Sequence, residues 1–499
     1  MHETLERPAV KPQTNGKVIA KTGNVRPAAS KRRDDTVEGE DGLARRKREA
    51  KNAKLTAVYE AYQSATDIGS PLVAPDGTLR MVPNLGRSVT VVGTVTNVDV
   101  NDGPHPKNIR GELGKAMNHW YTKTVAKDPL MRCTDNSHAA DKRNFLTTFT
   151  NAASKGNVNP KRTEVKDPKL MAEHIKRVAK HFGASLVGVG AANPAFMYAS
   201  GSRYVQDGEA NDKYQKMSPD ELAKRFPFVI QATVAWDYDT LQAHRHHVGD
   251  MSYHASTMQN AMVTKALEMY IKELGYTAIR GAVNPQGAGL AAGLGELGRN
   301  GMMITERFGA RVHMQDPILT DLPLVADQPI DIGVEDFCKV CRKCANNCPT
   351  NSITFGDKIV YNGIKKYKIN WLSCYKIRPF VADHYGSCLT CIAVCPFTKP
   401  DAWWRRVGGK LLSSAPIPAR TPIVHAMKWI DDKFWGEFPS KRVRFMGYDT
   451  GIKPGEHACT ISGCTAEHAE DGKTALDPKS KVGFYAPVKK QTDAFVKRG

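Results

Sequence analysis

The sequence predicts an α+β fold in two parts: a mixed α/β sandwich core and a small cysteine-rich module of ferredoxin type. Three observations carry that prediction. Two cysteine runs lie close together between residues 338 and 396. Upstream of them, β-rich segments alternate with segments of helical period. Joining the two parts is a glycine-rich stretch over residues 287–301.

The cysteine runs are the most specific of the three. The first reads Cys338-x2-Cys341-x2-Cys344-x3-Cys348-Pro349, and the second Cys374-x13-Cys388-x2-Cys391-x3-Cys395-Pro396. A C-x2-C-x2-C-x3-C-P run is the two-cluster ferredoxin pattern, in which the fourth cysteine ligates the other cluster. Two [4Fe–4S] clusters need eight thiolates, and the runs supply eight. Crossing over in this way, one cluster takes Cys338, Cys341, Cys344 and Cys395. The other takes Cys374, Cys388, Cys391 and Cys348. Zinc also uses paired C-x2-C motifs, but x2, x2 spacing closed by Cys-Pro favours clusters, and hence one-electron transfer. The remaining cysteines, Cys133, Cys459 and Cys464, are too scattered to form a disulfide framework.

At 499 residues the chain has room for two or three domains, and its 41% hydrophobic and 24% charged content is ordinary for a globular protein. Its net charge of +20 is not. The first 55 residues carry 14 Lys/Arg against 8 Asp/Glu, a net +6, and the rest is dispersed. Dispersed charge reads as a solvated surface, and no basic stretch interleaved with aromatics marks a nucleic-acid site. No run of eighteen apolar residues exists to span a membrane. The pair Arg32-Arg33 is followed by Asp34-Asp35 rather than an apolar segment, so it does not read as a twin-arginine export signal. A cytoplasmic location follows as the expectation.

Along the chain, residues 1–55 read as a disordered basic arm. Residues 56–165 form an N-terminal wrapping region, with an amphipathic helix from Leu55 through Val58, Tyr59 and Tyr62 and a β-branched strand within 88–100. The core spans 166–330. There, Lys169–Phe182 has helical period, and 185–190 and Phe228–Ala235 are strands. Ala255–Leu274 is a long helix capped by Gly275, and Tyr276–Ile279 is a strand. Strand, helix, strand in this order predicts a sheet with crossover helices. Gly188-Val189-Gly190 lacks the third glycine of a dinucleotide fingerprint. In residues 287–301, backbone free of side chains lets a large flat ligand approach and offers it N–H donors, although close helix packing uses glycine equally well. The cluster module spans 331–405, and a covering tail spans 406–499.

Several of these segments together resemble the corrinoid-dependent reductive dehalogenases, over roughly residues 165–400. The segments are Gly183-Ala184-Ser185-Leu186-Val187-Gly188-Val189, Leu274-Gly275-Tyr276-x-Ala278-Ile279, Ala292-Gly293-Leu294-Gly295-Glu296-Leu297-Gly298-Arg299, the run from Pro323 to Val334, and Cys395-Pro396-Phe397-Thr398-Lys399. The resemblance implies a nitroreductase-like core that holds a corrinoid (cobalamin or norpseudo-B12 type) base-off, without a protein ligand on cobalt. His244-Arg245-His246-His247-Val248-Gly249 has His where the Asp of a His-ligated corrinoid motif would stand, and reads as a solvated histidine cluster. The implied reaction is R–X + 2e⁻ + H⁺ → R–H + X⁻. The implied cofactor-binding set is Asn284, Gly287, Gly289, Gly293, Gly295, Gly298, Arg299 and Asn300.

The sequence departs from the family pattern at the proton donor. The usual Tyr position is Thr257, with Tyr253 one helical turn before it. The usual Arg position is His313, with Arg311 two residues earlier, on the same face if the segment is a strand. A phenol, with an unperturbed pKa of about 10, needs such a neighbouring cation to act as an acid at neutral pH. Tyr253, Arg311 and His313 are therefore the catalytic candidates. Thr257, Tyr375, Arg378, Phe380 and Tyr385 are the substrate-pocket candidates, and they suit an anionic or aromatic organohalide. The implied electron donor is a ferredoxin, a flavodoxin or a reductase, and a homo-oligomer is compatible with the reading. Two alternatives stand beside it: a tRNA-modifying enzyme resembling epoxyqueuosine reductase, and a corrinoid/iron–sulfur carrier without catalysis.

Overall fold

The computed structural model describes residues 72–73, 79–80, 86–92, 94–114, 117–118, 158–200, 211–241, 244, 247–348, 350–375, 388–400, 403–435, 444–445 and 448–449. The expected arm, the helix from Leu55, most of 115–157, Cys133, Cys459, Cys464 and most of the tail fall outside them. The chain divides after Arg46 into two units, and the described residues all belong to the second, Lys47–Gly499.

Local chemistry sets the elements of the core. Asp167 accepts from the amides of Lys169 and Leu170, and Pro168 fits the first turn, so α1 starts there and runs Pro168–His181. Its buried row is Ala172, Ile175 and Ala179, at helical spacing. Strand β1 is Leu186–Ala191. Ser218 and Glu221 form a capping box at α2, Pro219–Arg225, which leads into β2, Phe228–Ala235. Helix α3 begins not at Ala255 but at His247, and runs to Glu273. His244, expected in a solvated cluster, is only 3% exposed. Gly275 ends α3 in the left-handed region at φ 83°, where a Cβ would also lie 2.6 Å from the Arg162 backbone. Strand β3, Ala278–Arg280, follows.

Helix α4, Pro285–Ala291, and the short pair β4 (Glu296–Leu297) and β5 (Met303–Ile304) hold the glycine-rich stretch. Strands β6 (Val312–Met314) and β7 (Ile318–Thr320) complete the main sheet. Its order is β1-β2-β7-β3, with β6 paired to the far half of β2. Every neighbouring pair is antiparallel. Strands β2 and β3 are each antiparallel to the intervening β7 and hence parallel to each other, so α3 makes the expected crossover. Helices cover both faces. α1 and α3 pack on Val189, Ile230, Ala232, Ala278 and Ile318. On the other face, Ala288 and Leu290 of α4 pack with Val229, Ile279 and Leu319. The result is a helix–sheet–helix sandwich.

The expected strand within 88–100 shortens to Thr90–Val91, which adds to a hairpin of Ile359–Tyr361 and Ile364–Lys366. Four short helices carry cluster cysteines: α5 (Val334–Val340), α6 (Lys343–Asn346), α7 (Trp371–Tyr375) and α8 (Thr390–Ala393). Helices α9 (Trp403–Ser414) and α10 (Arg420–Trp435) follow. Leu412 and Val424 from this pair pack with Val334 and Phe337 of α5, and Arg420 binds Asp331 at 2.8 Å. Among the described residues, no helix is long and apolar enough to cross a membrane.

Candidate cluster cages and the adjoining pocket

Four thiols from the two cysteine runs line one cavity: Cys338, Cys341 and Cys344 from the first and Cys395 from the second. Phe337, Phe397 and Ile304 close it with apolar surface. Burial pushes the Cys341 thiol up to about 11 and drives Cys344 well above its ordinary range, helped by the other three sulfurs nearby. Cys391 is raised in the same way, first by burial and then by Cys374, Cys344, Cys348 and Cys388. The second set therefore also gathers, and Cys344 and Cys391 share one apolar cluster between the two cages. Thiols in such surroundings ionise only for a strongly cationic centre. Among the described residues, no three His, Cys, Asp or Glu side chains converge tightly enough for a single metal ion. Four sulfurs ringing a cavity fit the wider multi-iron core instead.

Donors point at these sulfurs. The amide of Arg299 reaches Cys338 Sγ at 3.4 Å, and that of Ser352 reaches Cys348 Sγ at 3.3 Å. The hydroxyls of Thr350 and Thr390 lie 3.4 and 3.1 Å from Cys348 Sγ and Cys388 Sγ. Hydrogen bonds to cluster sulfurs are among the means by which a protein sets reduction potential.

The catalytic candidates meet beside the first cage. Thr257 Oγ1 lies 3.4 Å from His313 Nδ1 and donates to the Tyr253 carbonyl at 2.9 Å. The Tyr253 ring stands edge-on to His313 at 5.3 Å, to Trp236 at 5.5 Å and to His254 at 4.9 Å. The Arg311 guanidinium donates to the Trp236 carbonyl and stacks over Phe308 at 5.1 Å. Trp236 and Tyr253 belong to the same hydrophobic cluster as Cys338, Cys341 and Cys395, so this aromatic group and the cage share one core. Burial holds the His313 imidazole down to about 4. It is neutral at neutral pH, so of this pair Arg311 is the one that carries positive charge. Trp236 Nε1 and Asn260 Oδ1 are buried without partners at the edges of this group, a donor and an acceptor that a polar ligand would satisfy.

The remaining candidates divide. Asn284 caps α4, accepting from the amides of Gln286 and Gly287 at 3.0 and 3.3 Å. A Cβ on Gly287 would strike Phe196 at 2.2 Å, on Gly293 the Gln328 carbonyl at 2.4 Å and on Gly295 that of Ile304 at 2.2 Å, so protein atoms fill those spaces. Gly289 faces the flexible ends of Met314 and Met303. Gly298, Arg299 and Asn300, expected with the corrinoid set, line the first cage. Tyr375 packs with Leu113 and Met117, its hydroxyl 3.2 Å from His105 Nδ1. Arg378, Phe380 and Tyr385 lie outside the described residues. Sequence reading missed Trp236, whose only signal is its place one residue past β2. It also missed Glu296, whose buried carboxylate accepts from the amides of Ile332 and Val334 at the start of α5.

Comparison with known proteins agrees with this geometry. Residues 337–399 match the family model for a 4Fe–4S dicluster domain. The tetrachloroethene reductive dehalogenase of Sulfurospirillum multivorans is 30% identical over 268 residues, covering 48% of this chain and 52% of that protein. The chain thus spans about half the length of this curated relative. A solved reductive dehalogenase structure, described as suggesting a mechanism for B12-dependent dehalogenation, superposes with a TM-score of 0.58 at 24% identity. That superposition covers 77% of this chain and 53% of the other, and shows a shared fold. The epoxyqueuosine reductase of Lactococcus garvieae is 25% identical over 155 residues, covering 30% of this chain and 43% of that protein.

Proposed function

We propose, for a chain that belongs to the reductive dehalogenase family, that it removes halide reductively from an organohalide, R–X + 2e⁻ + H⁺ → R–H + X⁻. The observation that carries this reading is the cage of Cys338, Cys341, Cys344 and Cys395, whose apolar core continues to the Tyr253–Trp236 aromatic pair. A base-off corrinoid, when bound, would supply the chemistry for breaking the carbon–halogen bond, and two [4Fe–4S] clusters held by the eight cysteines would supply single electrons. The sandwich core takes the nitroreductase-like role. Trp236 Nε1 and Asn260 Oδ1, buried without partners, would help to hold the corrinoid.

In this reading Tyr253 gives up the proton. Its phenol faces the His313 edge, and Arg311 at the same Trp236 supplies the positive charge that makes a phenol a usable acid. His313 and Thr257 orient the ring. The resemblance assigns the selection of an anionic or aromatic substrate to Tyr375, Arg378, Phe380 and Tyr385. A ferredoxin, flavodoxin or reductase feeds the clusters. The test is halide release by reduced, corrinoid-loaded protein across aliphatic, aromatic and carboxylated organohalides. Stoichiometric halide with one of these classes supports the reading, and release from none of them sinks it. The net charge of +20 favours tRNA as the one rival substrate. Tight tRNA binding with a steep salt dependence would move the assignment there.

A further inference from the structure

Arg299 is among the largest fully buried side chains of the protein, at 2% exposure. Its partners are all neutral. Nε and Nη2 donate to the Cys338 carbonyl at 3.0 and 2.7 Å, and Nη1 donates to the carbonyls of Thr354, Phe355 and Gly356 at 2.8, 2.9 and 2.6 Å. Nη2 reaches the Tyr367 hydroxyl at 3.3 Å, and the guanidinium lies 4.2 Å from that ring's centroid. No carboxylate among the described residues pairs with it. An isolated buried guanidinium is strongly unfavourable unless a counter-charge compensates it. The residue's own backbone amide points at Cys338 Sγ, so the missing counter-charge lies in the cage that this sulfur helps form.

A second cation stands in the same place. Lys399 is 1% exposed and donates to the Ala393 carbonyl at 3.2 Å, with no carboxylate among the described residues at ion-pairing distance. Asp431 and Cys395 attract Lys399 without an ion pair, whereas Lys343, beside Cys341, pairs directly with Asp431 and Asp432 of α10. A four-thiolate iron–sulfur cluster is anionic and gains one more negative charge on reduction. A fixed buried cation therefore favours the reduced form, with little screening by water.

Resting on the cluster reading above, we infer that Arg299, backed by Lys399, is a positioning residue that raises the reduction potential of the cluster held by Cys338, Cys341, Cys344 and Cys395. It does so by charge, and the other cluster does not feel it to the same extent. A role limited to tying the glycine-rich stretch to residues 354–356 makes a different prediction, because Lys and Gln would then be equally poor replacements for the guanidinium fork.

The experiment is an EPR-monitored redox titration of the full chain, reconstituted anaerobically with iron and sulfide, for wild type, Arg299→Lys and Arg299→Gln. The expected result is at least a tenfold fall in the one-electron reduction equilibrium of one cluster in Arg299→Gln, about 59 mV for a one-electron couple. Arg299→Lys shifts that cluster much less, and the other cluster stays in place in both variants. Equal shifts in Lys and Gln, equal shifts of both clusters, or no shift overturn the inference. Should Arg299→Gln fail to take up iron, Lys399→Gln decides, with a smaller fall in the same cluster expected and an unmoved potential overturning the inference. Wild-type protein that takes up no iron–sulfur centre overturns the functional reading and this inference with it. Two clusters with unmoved potentials overturn the inference alone.

Discussion

The Thr257 hydroxyl and the His313 imidazole are neighbours, 3.4 Å from oxygen to Nδ1, at the two positions that the sequence resemblance assigns to a Tyr and an Arg. Helix α3 and strand β6 bring them together from 56 residues apart. A neutral imidazole has one N–H and one acceptor nitrogen. The Thr257 hydroxyl gives its proton to the Tyr253 carbonyl at 2.9 Å, and His313 Nε2 lies 3.3 Å from Gln315 Oε1. A neutral pair carries no charge, so in the proposed reaction the parts of acid and cation are assigned to Tyr253 and Arg311.

Tyr253→Phe is expected to lower halide release by about 10²- to 10⁴-fold, the usual worth of a general acid. Iron and corrinoid contents should match wild type. A Tyr253→Phe protein that keeps its rate would remove Tyr253 from the proton step.

The His313 imidazole, held at about 4 by burial, titrates below its ordinary 6.5. Between those values the unfolded chain binds the extra proton and the folded protein does not. Its contribution to stability is therefore complete above pH 6.5 and is lost as pH falls from 6.5 to about 4. His313→Gln should flatten the stability curve in that window and leave it unchanged above about pH 7. A wild-type activity profile with a step near pH 6.5 that His313→Gln abolishes would contradict a neutral His313.

Glu296 behaves oppositely. Burial raises its carboxyl from 4.5 to about 7 against the pull of the Val334 and Ile332 amides. Here the folded protein holds the proton that the unfolded chain releases. Its contribution is fully present below pH 4.5 and fades as pH rises through about 7. Glu296→Gln keeps an oxygen for both amides and removes the ionisation. The wild-type-minus-variant difference in denaturation free energy should fall with pH across that window, and a flat difference would refute it.

Glu268 is the buried anion for Lys265 at 3.0 Å, Lys272 at 3.0 Å and Arg280 at 2.6 Å. Removing one partner of such a group strands the others, so Glu268→Ala should cost about 3–5 kcal/mol in denaturant unfolding. A loss below about 1 kcal/mol would mean that water compensates these cations.

A Cβ on Gly188 would lie 2.2 Å from the Ala292 carbonyl oxygen, and one on Gly190 2.6 Å from the Ala291 carbonyl carbon. Both neighbours are backbone and cannot swing aside. Gly188→Ala should destabilise by about 1–3 kcal/mol, as overpacking does. Unchanged thermal stability would show that α4 can retreat.

Much of the core was legible in the sequence, because burial writes a period into it. Ala172, Ile175 and Ala179 mark α1, and the apolar run of Phe228–Ala235 marks a strand covered on both faces. The start of α3 was not legible, since His247 and its polar neighbours carry no apolar period. The Gly-Val-Gly of β1 read as a failed nucleotide motif, and its purpose, close passage under Ala291 and Ala292, exists only once the strand and the chain end of α4 meet. Arg299 read as part of a ligand-binding glycine stretch for the same reason: its partners at Thr354 to Gly356 lie more than fifty residues away.

Eight cysteines at fixed spacing pointed to iron–sulfur chemistry by themselves, because thiolate number and reach along a short chain decide which centres they can ligate. The antiparallel order of the sheet, the meeting of Thr257 with His313, and the buried charge of Arg299 beside one cage belonged to tertiary structure. They depend on which distant segments share an interior, and there burial alone turns an ordinary histidine neutral and leaves an ordinary arginine without a counter-charge.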